Sequence, residues 1–245
     1  MTKNVFSAGL RDALVANSLQ LDVESIEEHS ELLRQGSSPI RRLTETERTI
    51  EVNRVQLTIA YLKQAALGRA GSLFAPTVSA LESNNTIAFS LLCRGHQETT
   101  AQLGYVCGRL GSYKSGTINL NELHTGLFRA LMGHTDERIS FEYGPINILT
   151  LLEKAMKFVT ADGLSLKGYS LTDSYNCLSN FSHPNFSSNE GVNSFADSAT
   201  GPDFYASSRQ DFLEKSPVLV NGFGMSCYYF NYFWGRLLEL EKSLS

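Results

Sequence analysis

Residues Thr86 to Gly111 read TIAFSLLCRGHQETTAQLGYVCGRLG, and this run decides the fold. Its ends are apolar on most sides: Ile87, Ala88, Phe89, Leu91 and Leu92, then Leu103, Tyr105, Val106 and Leu110. Its waist is polar, with Arg94, His96, Gln97, Glu98, Thr99, Thr100 and Gln102. A helix that is apolar nearly all round belongs inside a protein, surrounded by other helices. A wet waist makes it either a central helix lining a cleft or a core helix carrying a hydrogen-bonded polar layer.

Working outward, helical spacing of apolar residues recurs along the chain. It covers residues 5–17 and 22–35, with Asp22 as the expected N-cap of the second run. Thr44-Glu-Thr-Glu47 is a capping box. It opens a long helix through Ile50, Val55, Leu57, Ile59 and Leu62 toward Gly68. Gly71 to Asn85, containing Pro76, is expected to break the chain. Further helices are expected over 121–132, from Pro145 to Val159, over 171–182, and from Ser216-Pro217 to about Lys242. Residues 186–208 are rich in Ser, Asn, Gly and Asp and read as a long loop, with room for a small hairpin near 191–196 and 204–206. The expected architecture is all-α: a single domain over 1–245, a bundle of six to eight helices, with peripheral helices at about 5–35 and a core at about 44–245.

Composition narrows the class further. An apolar share of 42% and a charged share of 19% suffice for a sizeable core. A net charge of −4 gives no global attraction to nucleic acid or an acidic membrane. Ser216 to Gly235 is long enough to span a bilayer and carries no charge. Asn221, Ser226, Asn231 and three glycines, with aromatics spread through its middle, favour a core helix instead. The start of the chain lacks the pattern of a secretory signal, so a cytoplasmic location is expected. Cys93, Cys107, Cys177 and Cys227 form no C-x-x-C and are read as free thiols. The five histidines show no metal-binding spacing such as H-x-x-x-H, and no cofactor is expected.

Chemistry concentrates in two places. Arg94 and Glu98, four apart, lie on one helix face. They are either a structural ion pair or an anion clamp in which the guanidinium fork grips a phosphate or carboxylate and Glu98 orients it. The second place is Tyr175-Asn-Cys-Leu-Ser-Asn-Phe-Ser-His-Pro-Asn185. Pro184 forces the helix to stop at His183. A histidine there either caps carbonyls or transfers protons as an acid, its charged form favoured by the helix dipole. Asn185 follows it in the corner.

The runs Leu92–Ala101, Ile146–Lys154 and Tyr175–Asn185 resemble a family of bacterial all-helical proteins with an Arg-x-x-x-Glu helix and a later Leu-Ser-x-x-x-His-Pro-Asn corner. That resemblance covers roughly residues 85–190 and implies an all-α fold without implying an activity. More remotely the layout is similar to the HEPN superfamily, whose active members are metal-independent ribonucleases. By that likeness His183 would transfer the proton, Arg94 would stabilise the phosphorane charge, and Glu98 and Asn185 would orient them. No arginine stands in the six residues before His183, so Arg94 would act from another helix. Residues 168–208 contain no Lys or Arg but hold Asp173, Glu190, Asp197 and Asp203, an acidic setting that disfavours RNA.

The reading from sequence is therefore a helical interaction or small-anion-binding module, with a HEPN-like ribonuclease as the alternative. The aromatic run Tyr228, Tyr229, Phe230, Tyr232, Phe233 and Trp234 either fills a core or serves self-association or a protein partner.

Overall fold

A computed structural model describes residues 5–36, 40, 42–133, 144–164, 170–182, 193–198, 201–206 and 217–244. Within them the chain is all-α apart from one hairpin. The helices are α1 (Ala8–Ala16), α2 (Gln20–Gln35), α3 (Glu45–Thr49), α4 (Glu51–Glu82), α5 (Thr86–Lys114), α6 (Leu120–Met132), α7 (Ile148–Ala161), α8 (Leu171–Ser182) and α9 (Pro217–Glu241). β1 (Asn193–Ser198) pairs antiparallel with β2 (Gly201–Ala206), Asn193 facing Ala206 and Ser198 facing Gly201. The hairpin lies inside the stretch read as a loop. No helix among the described residues is long and apolar enough to cross a membrane.

Several boundaries differ from the sequence expectation, each for a local reason. The capping box at Thr44 and Glu47 forms, but Ile50 adopts an extended conformation and separates the short α3 from α4. That split brings the described α-helices to nine. The break expected over Gly71–Asn85 shrinks to its last three residues, because α4 runs through Pro76. Pro76 is exposed, so its ring faces away from the packing, while Phe74, Val78 and Leu81 beside it are buried. Burial of that stripe outweighs the proline penalty of about 3 kcal/mol. The true stop is a Schellman motif. Asn84 takes a left-handed φ of 60°, which asparagine tolerates. The Asn85 N–H then donates to the Ala80 carbonyl at 2.8 Å. Asn85 also starts the next helix, its Oδ1 accepting from the Ala88 N–H at 3.0 Å. Asp22 is not a cap but sits in the first turn of α2. α7 starts at Ile148 on an Asn147 cap rather than at Pro145. Ser216, expected to cap α9, lies outside the described residues.

The chain divides into two compact units. Unit one comprises Met1–Arg34, Ala70–Gln97 and Tyr169–Tyr228; unit two comprises Gln35–Arg69, Glu98–Gly168 and Tyr229–Ser245. Unit one has a core of Phe6, Leu10, Leu14, Val23, Ile26, Phe74, Leu81, Phe89, Leu178, Leu219, Val220 and Phe223. The α9 residues Val220, Phe223 and Cys227 recur at helical spacing in this core. In unit two, Tyr229 and Phe233 stack with ring centroids 5.9 Å apart. Tyr229, Phe230 and Phe233 are 0–1% exposed, so half of the aromatic run is core. Of the residues offered for a partner, only Tyr228, Tyr232 and Trp234 are partly accessible. Gly104 allows a close helix approach within unit two: a Cβ there would lie 2.4 Å from the Ala155 Cβ and 2.7 Å from the Phe233 ring.

Candidate functional site

Arg94 lies half-buried on α5 in unit one. Its Nη1 donates to Ser182 Oγ at 3.0 Å and its Nη2 to the Tyr175 hydroxyl at 2.8 Å. The guanidinium carbon also stands 4.9 Å from the centre of the Tyr175 ring. Tyr175 is 6% exposed, so the fork is pressed against an ordered surface. Both acceptors are neutral. Arg94 Nε is buried and has no hydrogen-bond partner. Among the described residues no carboxylate pairs with Arg94.

Glu98 does not answer it. The i,i+4 pair expected between the two is replaced by an ion pair in unit two, where Arg69 Nη2 meets Glu98 Oε2 at 3.1 Å. The sequence treated the two residues as one device because helical spacing puts them on one face; their partners on other helices separate them. His183 and Asn185, the other candidate residues, lie outside the described residues. Ser182, the neighbour of His183 in the chain, is the Arg94 acceptor.

The polar waist of α5 resolves in unit one as a buried layer. Gln97 Nε2 donates to Ser174 Oγ at 2.6 Å and to the Gly222 carbonyl at 3.2 Å. Gly222 is required there, because a Cβ would lie 2.5 Å from Ser174 Oγ. His96 Nδ1 bonds Ser226 Oγ at 2.8 Å, and His96 Nε2 faces His29 Nε2 at 3.0 Å. His29, His96, Gln97, Ser226 and Cys227 are all 0% exposed. Burial, then the neighbouring His29, holds His96 well below the usual imidazole range, so the ring is neutral. Burial pushes the Cys227 thiol up, with Cys93 and Asp22 adding to it.

Sequence reasoning missed this cluster. His29 and His96 are far apart in the chain, and spacing rules look for ligands on one segment. One signal was present: His29 falls in the apolar stripe of Val23, Ile26 and Leu33 on α2. A histidine in such a stripe must find a buried partner.

Unit two contains a cavity of 460 Å³ lined by Leu57, Tyr61, Ala65, Phe128, Leu131 and Met132, among others. Its walls are mainly apolar, with Thr58, Tyr61 and Gln64 as the polar lining residues and no cation among them. Comparison with family models, curated proteins and solved structures found no match.

Proposed function

We propose that this chain is a helical binding module that takes a small anion at Arg94. The observation that carries the reading is the half-buried guanidinium without a carboxylate partner among the described residues, its Nε buried and unbonded. A partly desolvated charge is costly unless something compensates it. Two neutral hydroxyls orient the fork without neutralising it. A phosphate or carboxylate group matches the planar donors left over. Titration with inorganic phosphate at low ionic strength should raise the melting temperature of the wild type saturably. Arg94→Gln should lose that response. An equal response in both proteins, or none in the wild type with phosphate, sulfate or acetate, overturns the reading.

One contact favours a second reading. Arg94 bonds Ser182, next in the chain to His183, which supports a HEPN-like arrangement of cation and proton carrier. Incubation of wild type and His183→Ala with single-stranded RNA in the presence of a chelator tests it. Cleavage by the wild type alone would establish the ribonuclease; its absence leaves the binding module.

A further inference from the structure

Unit one holds a second constellation that the Arg94 reading does not use. His29 from α2, His96 from α5 and Cys227 from α9 bring their ring nitrogens and sulfur within 4.8 Å of one another. We propose that these three side chains bind a soft closed-shell metal ion, Cu(I) or Zn(II), and that the ion ties α2, α5 and α9 together.

The donor set is the first reason. Imidazole and thiolate are the ligands that such ions prefer. The preset geometry is the second. Two nitrogens on one tetrahedral metal, with bonds of about 2.0–2.1 Å, stand about 3.3 Å apart. His29 Nε2 and His96 Nε2 are at 3.0 Å, so a shift of a few tenths of an ångström admits the ion. The rings meet edge to face, their planes at 90°. Ser226 Oγ holds His96 Nδ1 and so aims Nε2 into the cluster, the usual job of a group behind a metal ligand. An apolar cage completes it: Phe74 lies 5.6 Å from the His29 ring and Phe223 5.6 Å from the His96 ring.

Charge balance selects the ion. In a place with no solvent exposure a net charge is expensive. Two neutral imidazoles and one thiolate make Cu(I) neutral. Zn(II) reaches neutrality only with a second thiolate, and the cluster of atoms within 4.8 Å supplies just one, from Cys227. On binding, the Cys227 S–H bond breaks, the sulfur–metal bond forms and the proton leaves to buffer; no electron is transferred. All three ligands are fully buried, so the ion's role is structural.

Without an ion, the two Nε2 atoms share one proton as a simple hydrogen bond, and the experiment separates these states. The full chain, purified under reducing conditions, is loaded with Zn(II) or with Cu(I) under anaerobic conditions, then freed of excess metal by gel filtration. The wild type should retain one equivalent, melt at a higher temperature than after chelation, and show thiolate-to-metal charge-transfer absorption with Cu(I). Cys227→Ser and His29→Gln should each weaken binding about tenfold or more. Cys177→Ser, which alters a half-buried thiol outside the cluster, should retain the full equivalent. Retention of less than about a tenth of an equivalent of either ion by the wild type, or undiminished binding by Cys227→Ser, overturns the proposal. The charge-transfer band reports thiolate ligation in the wild type itself, so a variant that fails to fold does not blunt the test.

Discussion

In unit one a layer of polar groups among the helices is neutral and sealed: Gln97, Ser174, His29, His96 and Ser226 are at 0–1% exposure. Unit two buries only small hydroxyls such as Thr99 and Thr100 in this way among the described residues, and its ion pairs stand at the edge. Lys63 meets Glu241 at 2.6 Å, Arg236 meets Asp162 at 2.6 Å and Arg69 meets Glu98 at 3.1 Å, with side chains 22–55% exposed. The difference follows from solvation. A neutral amide or imidazole can be buried at modest cost once most of its hydrogen bonds are made, as at Gln97, where Nε2 is bonded and Oε1 is not, whereas a charged pair must recover a larger desolvation cost and is better left in contact with water. The buried neutral layer should therefore govern the stability of its unit, and the ion pairs should be nearly dispensable.

Gln97→Ala tests that contrast most severely. It removes two buried hydrogen bonds and leaves a cavity, and should destabilise by about 3 kcal/mol; denaturant melts would measure it. A loss below about 0.5 kcal/mol would mean that the layer contributes no more than a surface contact. Next in size is Gly104→Ala, where the new methyl collides with Ala155 and the Phe233 ring. Overpacking of this kind should cost about 1–3 kcal/mol, even after the helix-propensity gain. Gly235→Ala, in the same unit and with open space around its Cβ, should instead stabilise by up to about 1 kcal/mol. If both glycine variants melted alike, close helix approach at Gly104 would not be what its unit requires.

Arg69→Ala should cost only about 0.2–1 kcal/mol, and less in high salt, because its ion pair with Glu98 is open to solvent. A larger, salt-independent loss would erase the contrast between the units.

The last expected effect, no larger than that of Arg69→Ala, concerns Asp22, a carboxylate buried in unit one. Asp22 accepts from Asn221 Nδ2 at 3.1 Å, but burial dominates and raises its carboxyl above the usual 3.8. The folded state therefore takes up the proton more readily than the unfolded chain, and wild-type stability from this group falls as pH rises through the raised value. Asp22→Asn keeps an acceptor for Asn221 and removes the charge. It should be more stable than wild type at pH 7 by up to about 1 kcal/mol, discounted for screening at the partly open edge of the group. That advantage should shrink as pH falls and vanish only below 3.8, where the carboxyl is protonated in both states. Thermal melts between pH 4 and 7 would show it; an Asp22→Asn variant less stable than wild type at pH 7 would mark the charge as favourable.

By itself the sequence determined the helices, because periodicity and caps act within a few residues. Thr44 with Glu47 and the apolar ends of α5 could all be read without a neighbour in space. The polar waist was legible too, as either a cleft or a hydrogen-bonded layer; in unit one it is a layer. Only tertiary structure decided that α4 passes Pro76, since burial of Phe74, Val78 and Leu81 outweighs a local penalty that the chain alone advertises. Only tertiary structure decided the partners: Arg94 meets Tyr175 and Ser182, not Glu98, and His29 meets His96. Helical spacing says which residues share a face, a short-range property of one segment. What that face meets depends on how distant segments pack, and no local pattern encodes it.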